Sequence, residues 1–320
     1  MALPMPALTA ATLDDILKAQ GLTGSEDPRA HCRALAQSHY ENFPVLSLAV
    51  PGRLKDAFAA VYSFCRAVDD LGDEAPGDRL ALLDAWEEDL LRVWSGEPRH
   101  PIHRALVPVV RAHGLPPEPF RRLVRANRMD QLRNRYASFE EVREYCRHSA
   151  DPVGHLVLYL YGHRDAGRQR LSDAVCTGLQ LANFWQDVAR DLAERNRIYL
   201  PQEDMARFGV SEADLARKGA SPAVKALMAF EVARARALFA EGAPLVDTLE
   251  GRARWAVGAF IAGGLAVLDA LADQGYDYTP RPTLSSGAKR RLLAGTAIGL
   301  VLGRRGISLF PSCRREDRVG

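Results

Sequence analysis

Two separate stretches of the chain carry oxygen-bearing side chains at the spacing of one helical face. In the first, "YSFCRAVDDLGDE", Asp69 and Asp73 are four residues apart. In the second, "NFWQDVARD", Asn183, Asp187 and Asp191 follow one another at intervals of four. Residues four apart are neighbours on a helix, so the carboxylates of each stretch lie side by side and repel each other. A cation bound beside them would remove this repulsion.

The donor atoms of both stretches favour a hard cation, since they are carboxylate and amide oxygens without a nearby His or Cys. Mg²⁺ typically binds one or two protein carboxylates and completes its shell with substrate phosphates. Two such stretches predict a diphosphate held through bridging magnesium ions, which stabilise it as it leaves. The predicted metal ligands are Asp69, Asp73, Asn183, Asp187 and Asp191.

Bulky and polar side chains share these two helical faces. Projected at 100° per residue, the first face also holds Phe58, Tyr62 and Arg66, and the second also holds Gln180 and Phe184. Aromatic faces stabilise a nearby cation by about 0.5 to 2 kcal/mol, and apolar walls keep water away from it. The alternative is that these residues have a purely structural role. A single acidic helix end is commonly solvated, and Tyr62, Phe184 and Trp185 all suit a packed core.

The elements that position these residues are predicted to be helices, because apolar residues recur with a 3.6-residue period and strand-like alternation is rare. Pro and Gly clusters separate the helices and indicate one all-α domain. The predicted domain runs from 29 to 285, between a poorly ordered segment over 1–28 and a basic helix and tail over 286–320. The predicted helices are 29–40, 52–72, 78–95, 101–113, 117–134, 138–149, 151–162, 169–192, 202–206, 211–217, 221–241, 243–273 and 285–303.

Composition and charge restrict the class of protein. The chain of 320 residues is 47% hydrophobic and 26% charged, which argues against disorder, and its net charge of +2 does not suggest nucleic acid as a partner. Residues 281–320 hold nine Lys or Arg against two acidic residues. This basic end suits peripheral contact with anionic lipid headgroups, although a solvated terminus explains it as well. It lacks the interleaved aromatic residues expected of a nucleic-acid site.

The cysteines and apolar stretches bear on the compartment. The five cysteines form no CxxC pair, and the N-terminus lacks the features of a secretion signal, so we expect a reducing, cytoplasmic location. The apolar stretches 255–272 and 292–303 are interrupted by small residues or too short for a span of about 20 residues. The second stretch lies between basic clusters and suits the surface of the inner membrane.

Taken together, the motifs resemble those of the squalene and phytoene synthases over about residues 30–285. "YSFCRAVDDLGDE" is similar to the first aspartate-rich motif of that family. "QLANFWQDVARDLAERNRIYLP" is similar to the second, which closes with Arg197, Tyr199 and Pro201. "EYCRHSADPVGHLV" is similar to the segment that lines the substrate tunnel. The resemblance implies the all-α isoprenoid synthase bundle, a central active-site cavity, a prenyl diphosphate substrate and Mg²⁺ as cofactor.

The resemblance also implies roles for individual residues. Members that reduce their product to squalene use NADPH, but no GxGxxG follows a strand here. "MDQLRNRY" adds Arg135 and Tyr136, for which a solvated, ion-paired helix is the alternative. The implied catalytic residues are His39, Tyr62, Arg66, Arg197 and Tyr199. The implied substrate-binding residues are Phe43, Asp130, Tyr145, Val153, Gly154, Gln180, Phe184 and Gln186.

Two departures from the family pattern narrow the expected reaction. Gln186 stands where most members carry Arg or Glu, and "HYENF" replaces the usual H-S-x-S-F. A lost charge-assisted hydrogen bond is worth about 1.5 to 3 kcal/mol, which predicts a pocket for one diphosphate. The pattern resembles the hopanoid-pathway hydroxysqualene synthases, which ionise presqualene diphosphate and let water capture the rearranged carbocation.

Two alternatives to this reaction stay open. The first is a head-to-head synthase that condenses two prenyl diphosphates to presqualene diphosphate, squalene or phytoene. The second is a non-catalytic relative that binds lipids or a protein partner. Such a relative is expected to have lost an aspartate from one motif, whereas both motifs are intact here.

Overall fold

The computed structural model describes residues 12–38, 50–283, 287, 294–299 and 304–310. Over these residues the chain is helical and contains no strand, which confirms the all-α prediction. The chain divides into two compact units, a division that the prediction of one domain did not include. Unit 1 comprises Met1–Ser38 and Asp56–Leu132, and unit 2 comprises His39–Lys55 and Arg133–Gly320. The predicted boundaries at 28 and 285 stay predictions.

Unit 1 is a set of helices around an aromatic core. Phe64, Trp86 and Phe120 are fully buried, and the Phe64 ring meets the Phe120 ring edge to face at 5.1 Å between centroids. Pairs of aromatic rings in this geometry add about 0.5 to 1.5 kcal/mol beyond the area that they bury. The helices are α1 (Leu13–Ala19), α2 (Pro28–Ser38), α3 (Lys55–Asp73, which enters this unit at its second residue), α4 (Arg79–Leu91), α5 (Pro101–His113) and α6 (Glu118–Leu132).

Helix α1 lies in a region where the periodicity predicts no helix. It begins with a capping box, in which the Thr12 hydroxyl accepts from the Asp15 backbone N–H and the Asp15 carboxylate accepts from the Thr12 backbone N–H. Its apolar side chain Ile16 is fully buried, and α1 packs against α4. Seven residues are too few for periodicity to be evident, so the cap and this packing stabilise the helix.

A buried polar network joins α4 to the start of α5. Asp89 is 3% exposed and accepts hydrogen bonds from the backbone N–H of Arg99 at 2.8 Å, the backbone N–H of His100 at 3.0 Å and Nδ1 of His103 at 2.8 Å. Burial alone would raise the pKa of Asp89, but these hydrogen bonds lower it to about 2. Burial lowers the pKa of His103, so its neutral ring donates the Nδ1 proton to an ionised Asp89.

Unit 2 is arranged around one long helix of 30 residues, about 45 Å in length. This helix packs against its neighbours α8, α12 and α13, and glycines permit the close approach. A Cβ at Gly242 would lie 2.8 Å from the Leu171 carbonyl oxygen, and a Cβ at Gly264 would lie 2.9 Å from Leu179 Cδ2. The helices are α7 (Phe139–Ser149), α8 (Asp151–Leu160), α9 (Ala166–Arg195), α10 (Gln202–Arg207), α11 (Glu212–Leu215), α12 (Pro222–Gly242) and α13 (Gly251–Asp273).

The prediction of one helix over 243–273 is wrong. Ala243–Thr248 is a 3₁₀ helix, Leu249 is extended, and α13 begins at Gly251 with φ at +53°. A left-handed backbone at this position favours glycine and separates the two helices. Of the predicted helix over 285–303, residues 287 and 294–299 are described and are helical, and the rest lie outside the described residues.

Helix α13 is the one described helix that is long and apolar enough to cross a membrane by length and composition. Its most apolar window has a mean hydropathy of 1.8, and 56% of that window is buried inside the protein. Packing against α9 and α12 accounts for this apolar sequence, because a core helix meets the same criterion.

Replacing Asp89 with Asn should lower the free energy of unfolding by about 2 kcal/mol near neutral pH, because buried donors lose a charged acceptor. The pKa of Asp89 in the folded protein is about 2, below its ordinary 3.8. Its contribution is therefore present above the ordinary value and is lost as the pH falls toward 2. Urea unfolding of the variant and the wild type should show a difference that shrinks from pH 6 to pH 3.

The control for this prediction is Asp84→Asn, since the Asp84 side chain is 67% exposed. That variant should change the free energy of unfolding by less than about 0.5 kcal/mol. A difference between Asp89→Asn and the wild type that stays constant over this pH range would contradict the assignment of an ionised, hydrogen-bonded Asp89.

Candidate active site

The first acidic motif lies at the C-terminal end of α3, in unit 1. Asn127 Nδ2 of α6 donates a hydrogen bond to Asp69 Oδ1 at 3.1 Å. Asp69 is accessible to solvent, yet protein atoms crowd its carboxyl group. This desolvation and the charge of Asp73 raise the pKa of Asp69 to about 7, although the hydrogen bond from Asn127 opposes the shift. Such a carboxylate favours a partner that neutralises its charge.

Glycine at position 72 lets α6 approach the first motif. A Cβ at Gly72 would lie only 2.2 Å from Asn127 Oδ1. The Gly72 carbonyl oxygen accepts a hydrogen bond from Gln131 Nε2 at 2.8 Å. The sequence did not predict Asn127 as a site residue, because it belongs to neither acidic motif. Asn127 is 58 residues from Asp69 along the chain and reaches it only because α3 and α6 pack together.

Two other predicted residues of unit 1 lie on the same helix. The Arg66 guanidinium pairs with Asp70 at 2.5 Å and reaches Glu74 at 3.5 Å. Tyr62 is half-buried, and burial raises the pKa of its hydroxyl, so the phenol stays protonated. Asp130 lies half-buried on α6. Their predicted roles in substrate binding and catalysis stay predictions.

The second motif lies on α9 in unit 2, where the helix presents Asn183, Asp187 and Asp191 along one face. Asn183 is exposed, and the Asp187 and Asp191 side chains are 17% and 16% exposed. Burial and the neighbouring charge of Asp187 raise the pKa of Asp191 to about 7. The two carboxylates therefore repel each other in a partly desolvated setting, as the spacing predicts.

A segment distant in sequence contacts this acidic face. The Arg281 guanidinium donates to both carboxylate oxygens of Asp187, at 2.5 Å from Nε and 3.1 Å from Nη2. Gln186 Nε2 donates to the Pro282 carbonyl oxygen, and Gln186 Oε1 accepts from Arg281 at 3.5 Å. Sequence reasoning missed Arg281, because 94 residues separate it from Asp187. The only local signal was its place in the predicted helix stop "YTPRP".

After α9 the chain turns back and brings the predicted Arg197 and Tyr199 beside the helix. Asn196 ends α9 in the left-handed conformation with φ at +52°, and the Arg197 backbone N–H donates to the Asp191 carbonyl oxygen at 3.0 Å. Arg197 is 7% exposed, and its charge, with the larger effects of Arg195 and Arg190, partly offsets the rise that burial causes in the pKa of Asp191. Arg135 bonds to the Asn196 carbonyl oxygen at 2.5 Å, so Arg135 holds this turn.

Four aromatic rings gather next to the acidic face of α9. The rings of Phe184 and Tyr199 are stacked, with centroids 3.7 Å apart and planes within 6°. Tyr136 stacks on Tyr199 at 5.6 Å, and the Tyr145 centroid lies 5.5 Å from that of Tyr199. Trp185 is fully buried and belongs to the core. Phe184 is 5% exposed, so its ring packs in the core. It lies less than one turn from Asp187 along the helix.

The predicted tunnel residues lie where α7 gives way to α8. Gly154 packs directly against α9, since a Cβ there would lie 2.3 Å from Ser172 Oγ and 2.6 Å from Cys176 Sγ. Val153 is half-buried, as is Gln180 on α9. Gly154 therefore has a packing role that the motif did not reveal. The predicted residues His39 and Phe43 lie outside the described residues.

The chemistry of the second motif fits Mg²⁺. Within the described residues, no three His, Cys, Asp or Glu side chains are grouped so that they could hold a metal ion by themselves. A magnesium ion that binds one or two carboxylates and completes its shell with substrate phosphates does not need such a group. Asp191 and the Asn183 amide supply oxygen ligands of this kind, and Asp187 would add another once the Arg281 guanidinium leaves its carboxylate. That the acids of α3 bind the same diphosphate stays a prediction.

Comparison with known proteins adds evidence from outside the chain. The model of the squalene/phytoene synthase family matches residues 36–291. A 15-cis-phytoene synthase of Synechococcus elongatus is 32% identical over 272 residues, which cover 81% of this chain and 88% of the relative. A hydroxysqualene synthase of Rhodopseudomonas palustris is 37% identical over 215 residues, which cover 66% of this chain and 72% of the relative.

Solved structures share the helical fold. The squalene synthase HpnC of Alicyclobacillus acidocaldarius is 49% identical, with a TM-score of 0.75 over 78% of this chain and 94% of that one. A dehydrosqualene synthase is 26% identical, with a TM-score of 0.78 over 90% of this chain and 100% of that one. The chain therefore belongs to the squalene/phytoene synthase family, whose members act on prenyl diphosphates with the help of a divalent metal.

Proposed function

We propose that this chain is a magnesium-dependent hydroxysqualene synthase. The substrate would be presqualene diphosphate, whose C–O bond to the diphosphate breaks with both electrons leaving on the diphosphate. The resulting carbocation rearranges, a water oxygen bonds to it, and that oxygen then loses a proton to solvent. The products would be hydroxysqualene, diphosphate and one proton, so the reaction needs neither NADPH nor a second prenyl diphosphate.

The observation that carries this proposal is the proximity of acids and aromatic rings on α9. Asp187 lies less than one turn from Phe184, whose ring is stacked on Tyr199. Ionising a prenyl diphosphate creates a diphosphate anion and a carbocation close together. The acids suit the anion through a bound metal, and the aromatic rings suit the carbocation. Mg²⁺, when bound, would supply Lewis-acid stabilisation of the leaving diphosphate.

The protein side chains would have separate tasks. Asp187 and Asp191 would hold the metal, and Arg197, next to Asp191, would place a positive charge near the diphosphate oxygens. The stacked rings of Phe184 and Tyr199 would present π electrons to the carbocation, worth about 0.5 to 2 kcal/mol per ring. Their burial would limit the approach of water until the rearrangement is complete.

The choice of branch rests on Gln186 and on the relatives. The Gln186 amide is neutral and donates to the Pro282 carbonyl oxygen, so it offers no charge-assisted contact to a second diphosphate. The names hydroxysqualene synthase and squalene synthase HpnC, at 37% and 49% identity, support the same branch. We propose a cytoplasmic enzyme in peripheral contact with the inner membrane through its basic C-terminus, since the product is apolar.

A condensing synthase is the second candidate, because phytoene synthases are about equally similar to the chain. The Synechococcus elongatus enzyme is 32% identical and covers more of the chain than the Rhodopseudomonas palustris enzyme does. In that case the same acidic and aromatic residues would act on two prenyl diphosphates.

Incubation with separate substrates should distinguish these two reactions. With Mg²⁺, the purified protein should convert presqualene diphosphate to hydroxysqualene and should leave farnesyl and geranylgeranyl diphosphate unchanged. In water enriched in ¹⁸O, mass spectrometry should detect one ¹⁸O atom in the alcohol, since water captures the carbocation. Condensation of either prenyl diphosphate into a C30 or C40 product would replace the proposal with the second candidate.

Removing a carboxylate from either acidic motif should abolish most activity. Asp187→Asn and Asp69→Asn should each lower kcat/KM by at least about 100-fold, since metal and diphosphate lose a charged ligand. Glu194→Gln is the matched control, because Glu194 lies on the same helix and its side chain is 56% exposed. The control should stay within about twofold of the wild type. Full activity of both aspartate variants would contradict the assignment of these carboxylates to the metal and the diphosphate.

Two substitutions of Tyr199 should separate the role of its ring from that of its hydroxyl. Tyr199→Phe keeps the aromatic ring and should retain most of the turnover. Tyr199→Leu removes the ring and should lower kcat about tenfold, in line with a cation–π contribution of about 1 to 2 kcal/mol. Thermal unfolding would show whether each variant is folded. An equal loss in both variants would instead assign the function to the hydroxyl.

A further inference from the structure

Unit 2 contains a basic cavity that the proposed reaction does not use. Its volume is about 500 Å³, which is within the range of small-molecule sites. It lies at the N-terminal end of α9, and Arg168 precedes Asp187 by 19 residues, or about 28 Å along the helix. The lining side chains that matter are Arg53, Tyr161, His163, Arg168, Glu250 and Arg252.

Two of the three arginines are held in place by backbone carbonyl groups. Arg168 donates from Nη2 to the Thr248 carbonyl oxygen at 2.7 Å and from Nη1 to Asp165 at 2.7 Å. Arg252 donates from Nη1 to the Val50 carbonyl oxygen at 3.1 Å. Arg252 keeps other N–H groups that these bonds do not use. The guanidinium groups are thus positioned before any ligand binds, which lowers the entropy cost of binding.

The cavity has an excess of positive charge. Within the described part of the chain, neither Arg53 nor Arg252 has a carboxylate partner, and Glu250 is the one acidic residue of the lining. Burial and the charge of Arg168 lower the pKa of His163, so its imidazole adds no charge near neutral pH. A concave surface lined mostly by one sign of charge raises the local concentration of the opposite ion.

The hydrogen-bond donors in the cavity suit phosphate oxygens. A guanidinium group presents parallel N–H donors that match two oxygens of a phosphate. Burial raises the pKa of Tyr161 to about 12, despite the charge of Arg252, so the hydroxyl keeps its proton. The first turn of α13 adds backbone donors, since its N-cap residue Glu250 makes no side-chain capping bond.

We propose that this cavity binds the phosphate group of a phosphorylated ligand. The ligand is either the headgroup of an anionic phospholipid or a free phosphate ion. The site is separate from the acidic face of α9, so the proposal does not depend on which prenyl diphosphate the protein converts.

Binding can be measured without turnover, in buffer that contains EDTA so that no metal bridges an anion to the aspartates. Inorganic phosphate is titrated by calorimetry. In parallel, the protein is floated with phosphatidylcholine vesicles that contain or lack phosphatidylglycerol. The test variant is Arg53→Gln with Arg252→Gln. The matched control is Arg217→Gln with Lys218→Gln, which removes the same charge from an exposed segment of unit 2.

The test variant should weaken binding at least about tenfold, and the control should stay within about twofold of the wild type. Loss of phosphate binding alone identifies a free ion, and loss of phosphatidylglycerol-dependent flotation identifies a headgroup. If the double variant is unfolded by circular dichroism, Arg53→Gln alone gives the same comparison. The proposal is overturned if the wild type binds neither probe, or if test and control variants bind alike.

Discussion

Helix α9 must bury apolar side chains in the core of unit 2 and also present acidic side chains along one face. The arrangement of unit 2 depends on this double requirement. Trp185 is fully buried on the side of the helix opposite Asp187 and Asp191, and Leu181 and Val188 are buried between the two sides. The apolar side is fixed by close packing of α8, α12 and α13, which glycines permit. Because that packing fixes the rotation of the helix about its axis, it also fixes the direction of the acidic face.

In both units, ionised carboxylates are disfavoured because they are partly desolvated and lie near another carboxylate. Desolvation and a carboxylate nearby raise the pKa of Asp69 in unit 1 and of Asp191 in unit 2, both to about 7. An amide in unit 1 and a guanidinium in unit 2 contact the acidic groups, through Asn127 to Asp69 and Arg281 to Asp187. Carboxyl groups whose ionised form is destabilised in this way are typical of sites that bind or transform a ligand.

Local sequence patterns predicted what depends on neighbours along the chain. The all-α class, the helix predicted over 169–192 and the acidic face of α9 follow from periodicity and from spacing by four, whereas the observed helix is longer at both ends, Ala166–Arg195. Contacts that depend on packing were not predictable, because Asn127 and Arg281 are 58 and 94 residues from their aspartates. The close contact of Gly154 with α9 was missed for the same reason. The break before α13 depends on the left-handed backbone of Gly251, which apolar periodicity does not indicate.

The charges at the start of α9 and α13 are not explained by helix stability. The N-terminal turn of a helix favours negative charge, yet neither helix has an acidic residue in its first turn, and each has an arginine there, Arg168 and Arg252. The N-cap Asp165 offsets this for α9, because it pairs with Arg168, whereas Glu250 makes no such capping bond for α13. An anion in the basic cavity would supply the missing negative charge to α13 and to the arginines together. Because the arginines and the N-terminal turn of α13 place positive charge close together, a phosphate group suits this cavity.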